Sequence, residues 1–290
     1  MSIFVSLNIQ NQNHPFMYTV LAKDTIELEI VQYIPKAHRG FPPTVPLSEL
    51  INAILYKLKT GIQWNQLPVK ALFEDKVICW QTVYYHYRKW SLCGFWKACW
   101  IKFLERHRSK LDLSSVDLDG SHTPAIRGGE QVDYQGRKKR KTTNSLYLTD
   151  RQGLPLAMSE PLAGNHNDLY DIEVQFEVVT ATLEDANISV EGLFLNADAG
   201  FDSKELRKAC SDKNIQANIC FNKRNGDGDR DEYFDEELYG QRYTIERTNA
   251  WIDGFRSLLN RFDTTIDSWK GFNYIAFIVI ALKKFSKKKV

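Results

Sequence analysis

The sequence predicts an α/β protein in which a mixed sheet flanked by helices follows an all-helical segment. Three observations predict it. From Pro46 to about Arg108, apolar residues recur at the three- and four-residue spacing of amphipathic helices. From Leu113 to Leu162 the period falls to two, the spacing of half-buried strands. Beyond Asn167, helical and strand patterns alternate to the end of the chain.

The 290 residues are 43% hydrophobic and 12% aromatic, enough to bury a substantial core as one large domain and a smaller one. The patterns divide the chain into an arm and linker (1–44), a helical domain (45–111) and a sheet domain (112–290). The net charge of +2 says little, but its distribution says more. Residues 127–151 hold seven bases (Arg127, Arg137, Lys138, Lys139, Arg140, Lys141, Arg151) against three acids, and the tail is rich in Lys. Such clusters suit a polyanion, although a charge run by itself is also what a solvated face looks like. Five cysteines without a CxxC pair fit a reducing cytosol. No signal-peptide pattern opens the chain. The most apolar run, residues 272–282, is eleven long, where a membrane span needs about twenty. The expectation is a soluble cytoplasmic protein with no membrane partner.

Taken in order, residues 1–23 predict a loose or strand-containing arm, 27–34 the start of a helix, and 36–43 a basic, Pro-containing linker. Leu47, Leu50, Ile51, Ile54, Leu55 and Leu58 predict a helix stopped by Gly61. A turn at 64–68, a helix over 80–90 and another over 95–108 follow. Helix, Gly-containing turn, helix is the layout of a helix-turn-helix-like DNA reader. Gln81, Thr82, Tyr85, Arg88 and Lys89 form one polar face of its second helix, and Arg88 and Lys89 suit phosphate contact. Trp80, Tyr84 and Trp96 read as core.

In the sheet domain, Val116 and Leu118 alternate with Asp117 and Asp119, which puts both carboxylates on one face of a strand. Two readings of Asp119-Gly120 stand together at this point: a turn at a strand end, and an acidic site. Strands over 144–150 and 154–162 are joined by a hairpin turn at Arg151-Gln152-Gly153. A helix over 167–183 starts beside Asp168, and an apolar strand at 193–195 ends in Asn196-Ala197-Asp198. A helix over 203–210, a strand over 215–221, an acidic Gly-rich loop over 222–240 and helices over 241–260 and 269–284 complete the order. Three strands in hairpins, then α, β, α, β, α, is the order of a ribonuclease-H-like five-stranded mixed sheet.

Asp198 closes a strand, where a crevice opens at the carboxyl end of an α/β sheet; a capping role suits Asp202 better. Glu246 stands four residues after Arg242 and seven before Asp253, on nearly one helix face. That spacing alone also describes a routine surface salt bridge. Together Asp119, Asp198 and Glu246 make a set of hard oxygen donors suited to Mg²⁺ or Mn²⁺, and two such ions would serve phosphoryl transfer. His122 and His166 lie near the proposed site without a zinc-ligand spacing. Asp117 reads as a bystander on the same face as Asp119.

The segments 118–123 (LDGSHT), 164–168 (GNHND), 196–203 (NADAGFDS) and 243–251 (YTIERTNAW) resemble bacterial insertion-sequence transposases of the DDE class, in the group typified by insertion sequence five. Residues 60–68 (TGIQWNQLP) and 80–84 (WQTVY) resemble that group's N-terminal DNA-binding region. The resemblance covers roughly residues 45–282. It implies that Asp119, Asp198 and Glu246 are the catalytic acids, with Asp119 bridging two metal ions and the other two holding one each. The group's Y-x2-R-x3-E-x6-K pattern falls on Tyr239, Arg242, Glu246 and Asp253, so Asp stands where Lys is usual, with Arg247 and Arg256 the nearest bases. Arg242, Arg247 and the 137–141 cluster would neutralise phosphates. The implied partners are double-stranded DNA, as terminal inverted repeats and as target, and a second copy of the chain. The implied location is the bacterial cytoplasm, at the nucleoid. A nuclease on the same fold without strand transfer, and a non-catalytic DNA-binding derivative, are the rival readings.

Overall fold

The computed structural model of the chain describes residues 19–35, 43–74, 76, 78–225 and 233–287. Residues 1–18 of the expected arm, the linker bases at 36–39, residues 226–232 of the acidic loop and the last three residues of the tail lie outside them. The first helix, α1 (Lys23–Glu29), starts earlier than its pattern suggests. In α2 (Leu47–Thr60) the predicted apolar stripe is buried apart from the half-buried Leu47, and Gly61 ends the helix at a φ of 70° with its N–H on the Lys57 carbonyl. A Cβ there would stand 2.7 Å from Cβ of Arg256, so close approach and left-handed backbone both require glycine.

A short α3 (Val69–Leu72) leads to α4 (Trp80–Leu92) and α5 (Phe95–His107). Val83, Tyr87 and Trp90 of α4 are buried, while Gln81, Tyr85, Arg88 and Lys89 are exposed as expected. Trp96 is fully buried, Trp80 packs on the core, and Tyr84 lies against Trp64 with ring centroids 5.2 Å apart.

The sheet is built from β1 (Val116–Pro124), β2 (Asp133–Gln135), β3 (Arg140–Asp150), β4 (Pro155–Met158) and β5 (Leu162–Ala163), then β6 (Phe194–Ala197) and β7 (Gln216–Ile219). Helices α6 (Ile172–Glu184) and α7 (Lys204–Asp212) connect its second half, followed by α8 (Glu236–Gly240), α9 (Tyr243–Asp253), α10 (Arg256–Leu259) and α11 (Ile266–Lys287). Five strands lie in the order β4-β3-β1-β6-β7, with β2 and β5 as short additions along β3. The first three are antiparallel, and β6 and β7 run parallel to β1. This is the ribonuclease-H-like arrangement.

Four expectations change. Asp119-Gly120 is no turn: β3 pairs with β1 along its whole length, Gly120 opposite Leu146, and carries the strand through to Pro124. The helix after Asn167 starts at Ile172, because Asp168 is held outside it by Asn144. The helix over 241–260 is two helices, α9 and α10, broken at Gly254 and the extended Phe255. Residues 236–240 are helical because the Asp235 side chain caps them, accepting the Leu238 N–H at 2.9 Å. β2 has no apolar alternation and left no sign in the sequence.

One hydrophobic cluster runs from Leu21 to Phe285 and joins the N-terminal helices to the sheet. Its axis is α11. Phe272 stacks on Tyr87 of α4 at 4.4 Å, Phe277 meets Trp100 of α5 at 5.6 Å, and Trp100 Nε1 donates to the Leu156 carbonyl of β4 at 2.8 Å. No helix among the described residues is long and apolar enough to cross a membrane. The apolar run in α11 is buried instead.

Candidate active site

In β1 the pleat turns Leu118 to one face and Asp117 and Asp119 to the other. β1 and β6 are parallel, and Leu118 pairs with Ala197. The next residues along the two strands are Asp119 and Asp198, so register sets these carboxylates side by side at the sheet's carboxyl end. Asp198 Oδ1 accepts the Gly200 N–H at 2.8 Å and caps a short 3-10 turn over Ala199–Phe201. The capping role expected of Asp202 at the helix that follows falls to Ser203. Asp202 pairs with Arg207 at 3.0 Å and accepts the Asn222 N–H at 2.8 Å, while Ser203 caps α7.

Helix α9 supplies the third wall. Arg242, at its N-terminus, places Nη1 4.0 Å from Asp119 Oδ1, and Asn249 Nδ2 donates to Asp119 Oδ2 at 3.4 Å. Glu246 lies four residues after Arg242 and three before Asn249, on the same stripe and exposed. Arg242 therefore pairs with Asp119, not with the Glu246 that its spacing suggests. Its buried Nη1 has no hydrogen-bond partner.

Burial pushes the Asp119 carboxyl up to about 6; the Arg242 guanidinium opposes the rise, and the charges of Asp198 and Asp168 add to it. Asp168 comes from the loop before α6. Asn144 Nδ2 donates to its Oδ1 at 2.8 Å, and His122 Nε2 stands 3.9 Å from the same oxygen. A Cβ on Gly120 would lie 2.2 Å from that oxygen, so residue 120 must lack a side chain for Asp168 to seat.

The β2–β3 hairpin carries Arg137, Lys138, Lys139, Arg140 and Lys141, all exposed. Lys138 Nζ donates to the carbonyl of His122, three residues beyond Asp119, at 2.9 Å. Burial raises the Asp253 carboxyl and the Lys138 ammonium counters it, so this hairpin supplies positive charge where the transposase pattern has Lys. Of the two bases expected there, Arg247 is engaged elsewhere and Arg256 is exposed on α10. Arg247 donates to the Gln152 carbonyl at 2.8 Å and lies over the Trp251 ring, and the Cβ and backbone of Arg256 lie against Gly61. Arg88 and Lys89 remain on the exposed face of α4.

Among the described residues, no three carboxylate, imidazole or thiol groups form a ready-made metal cluster. The donor chemistry nevertheless fits a hard divalent cation. Asp119 and Asp198 are adjacent oxygen donors whose charges oppose one another, and the nearby guanidinium stops at 4.0 Å. Asn249, Thr244, Asn196 and Asp117, which surround the acids, had drawn no catalytic reading. The one available signal was the position of Asn249 on the Arg242–Glu246 stripe.

Residues 110–280 match the family model described as "Transposase DDE domain", and residues 28–100 match that of a transposase family of the IS4/5 group (DUF4096). "Insertion element IS402 uncharacterized 16.2 kDa protein" from Burkholderia cepacia is 29% identical over 103 residues, 34% of this chain and 67% of that protein. Among solved structures, the piggyBac transposase synaptic complex with hairpin DNA aligns over 92% of this chain and 71% of its own, at 11% identity and a TM-score of 0.47. The Mos1 mariner paired end complex with Mn aligns over 86% and 82%, at 14% identity and a TM-score of 0.30. The first family model takes in the two strands and the helix that carry Asp119, Asp198 and Glu246, and the chain belongs to the DDE transposases of the IS4/IS5 group.

Proposed function

We propose that the protein binds the terminal inverted repeats of its insertion sequence, cuts DNA at those ends and joins them to target DNA. One observation carries the reading: the β1–β6 register brings Asp119 and Asp198 together, and α9 lays the Arg242–Glu246–Asn249 stripe against them. Asp119, Asp198 and Glu246 would hold divalent ions, Mg²⁺ or Mn²⁺. Two such ions, when bound, activate the attacking oxygen and stabilise the leaving one. Arg242 steadies the reacting phosphate, and the hairpin bases from Arg137 to Lys141 hold the backbone beside it. Water attacks the phosphorus first and the 3′ oxygen leaves. The freed 3′-OH then attacks a target phosphodiester in line, losing its proton as the P–O3′ bond of the target strand breaks and that 3′ oxygen leaves as a hydroxyl. Pairing two ends requires a dimer or larger assembly on DNA.

The test is cleavage of a duplex carrying the element's own ends and flanks, with Mg²⁺ or Mn²⁺ and with chelator. Metal-dependent nicks at the element boundary are expected, and their joining to a second duplex separates transposition from simple nuclease action. Binding without any cleavage would leave the non-catalytic reading.

End binding should weaken steeply with salt, because each Lys or Arg contact releases counterions from phosphate. Arg88 and Lys89 are exposed on α4 beside Gln81 and Tyr85. Replacing both bases with Ala should weaken end binding and flatten the slope of log K against log salt by roughly 1–2. An unchanged slope moves the reading surface off α4.

A further inference from the structure

Each of the three acids has a partner two positions earlier in the chain, and the three partners meet. Asp117 precedes Asp119, Asn196 precedes Asp198 and Thr244 precedes Glu246. Asn196 Nδ2 donates to Asp117 Oδ1 at 3.0 Å, and the Thr244 hydroxyl donates to Asp117 Oδ2. All three are buried, at 2%, 1% and 5% exposure. The sheet itself fixes this contact, since Asp117 pairs with Asn196 and Asn196 with Asn218 in the strand registers. Asn218 extends the line. Its Nδ2 donates to Asn196 Oδ1 at 2.8 Å, and its Oδ1 accepts the N–H of Asp235, the cap of α8, at 2.7 Å.

A buried carboxylate is a costly way to fill space, and apolar residues of similar volume often serve stability better. Its use here has a geometric consequence. Along a strand, residues two apart share a face, so tying Asp117 to Asn196 sets Asp119 against Asp198. On α9, the Thr244 bond fixes the rotation and depth of the turn that carries Glu246. The stretch from Asp235 to Thr244 is thereby anchored to the sheet at both ends.

We propose that Asp117 is a positioning residue for DNA cleavage: through Asn196 and Thr244 it holds Asp198 and Glu246 where they can share a divalent ion with Asp119. This inference rests on the assignment of those three as the metal-holding acids. It replaces the expectation that Asp117 is a bystander.

The test compares Thr244→Val, which removes the hydroxyl and keeps the shape, with Thr244→Ser, which keeps the hydroxyl. Full-length protein is titrated with Mn²⁺ and free Mn²⁺ is read by electron paramagnetic resonance, alongside single-turnover cleavage and thermal melting. Thr244→Val should weaken Mn²⁺ binding and slow cleavage, each about 10-fold, as expected when an outer partner of a metal ligand is lost. Thr244→Ser should restore both. Should the Val variant fail to fold, Asp117→Asn, which turns an amide toward one of the two donors, is expected to show the same loss of Mn²⁺ affinity. Wild-type Mn²⁺ affinity in the variant that folds, with only its melting temperature lowered, overturns the inference alone. A wild-type protein that binds no Mn²⁺ overturns the assignment of the acids, and this inference with it.

Discussion

Asp119→Asn, Asp198→Asn and Glu246→Gln should each slow metal-dependent cleavage about 1000-fold or more, on the order of 4 kcal/mol of barrier. Each change removes an anionic ligand and keeps its shape, so end binding should stay near wild type in a gel-shift titration. A variant that cuts at wild-type rate removes its residue from the catalytic set. Asp119→Asn carries a second expectation. In the folded chain this carboxyl titrates at about 6, above its ordinary 3.8, mainly because it is buried. The fold therefore favours the protonated form. That contribution to stability is complete below pH 3.8 and is lost as the pH rises through about 6. In metal-free protein near neutral pH, the amide variant should consequently melt at a higher temperature than wild type, with the gap closing as the pH is lowered. A gap that is absent, or widest in acid, would mean that Asp119 is not strained by burial. On the expected result, the same residue destabilises the empty protein and makes the loaded one work.

The sequence carried the acids because strand and helix periods are local. Alternation of Val116, Asp117, Leu118 and Asp119 needs no knowledge of a partner strand to place two carboxylates on one face. The stop at Gly61, the buried stripe of α2 and the exposed face of α4 were legible for the same reason. Contacts between distant segments were not. Nothing local distinguishes an Asp-Gly turn from an Asp-Gly strand; the pairing of Gly120 with Leu146 decides it. Asp168 looked like a residue at the start of a helix, yet it is held by Asn144 and fills the space left by Gly120. Arg242 was read against Glu246 by helical spacing, but its guanidinium meets Asp119, 123 positions earlier (242 − 119). Likewise Lys138 reaches the surroundings of Asp253 from a hairpin whose first strand, β2, left no periodic sign. The partners of Asp117 have no local sign either, because the chain brings Asn196 and Thr244 to it only on folding.

Arg242→Ala should lower the cleavage rate about 30-fold, roughly 2 kcal/mol of barrier, with a melting temperature near that of wild type. Its Nη1 is buried and unpartnered, 4.0 Å from Asp119 Oδ1. An unmade hydrogen bond at a buried donor costs about 1–3 kcal/mol, which offsets the attraction to ionised Asp119 that is lost with the side chain, so deleting it should leave the stability of the empty protein nearly unchanged. The donor acquires a use when a phosphate oxygen enters beside Asp119. The guanidinium also opposes the burial that raises the Asp119 carboxyl. Its loss should therefore move the acid limb of the cleavage profile to higher pH, where more base is needed to ionise Asp119. Lys at this position should restore the acid limb better than the rate, because a point charge replaces the electrostatic effect but not a two-pronged phosphate contact. A surface salt bridge predicts the opposite pattern: about 0–1 kcal/mol of lost stability and unchanged chemistry. Normal cleavage with an unshifted acid limb and a lower melting temperature would therefore return Arg242 to that ordinary role.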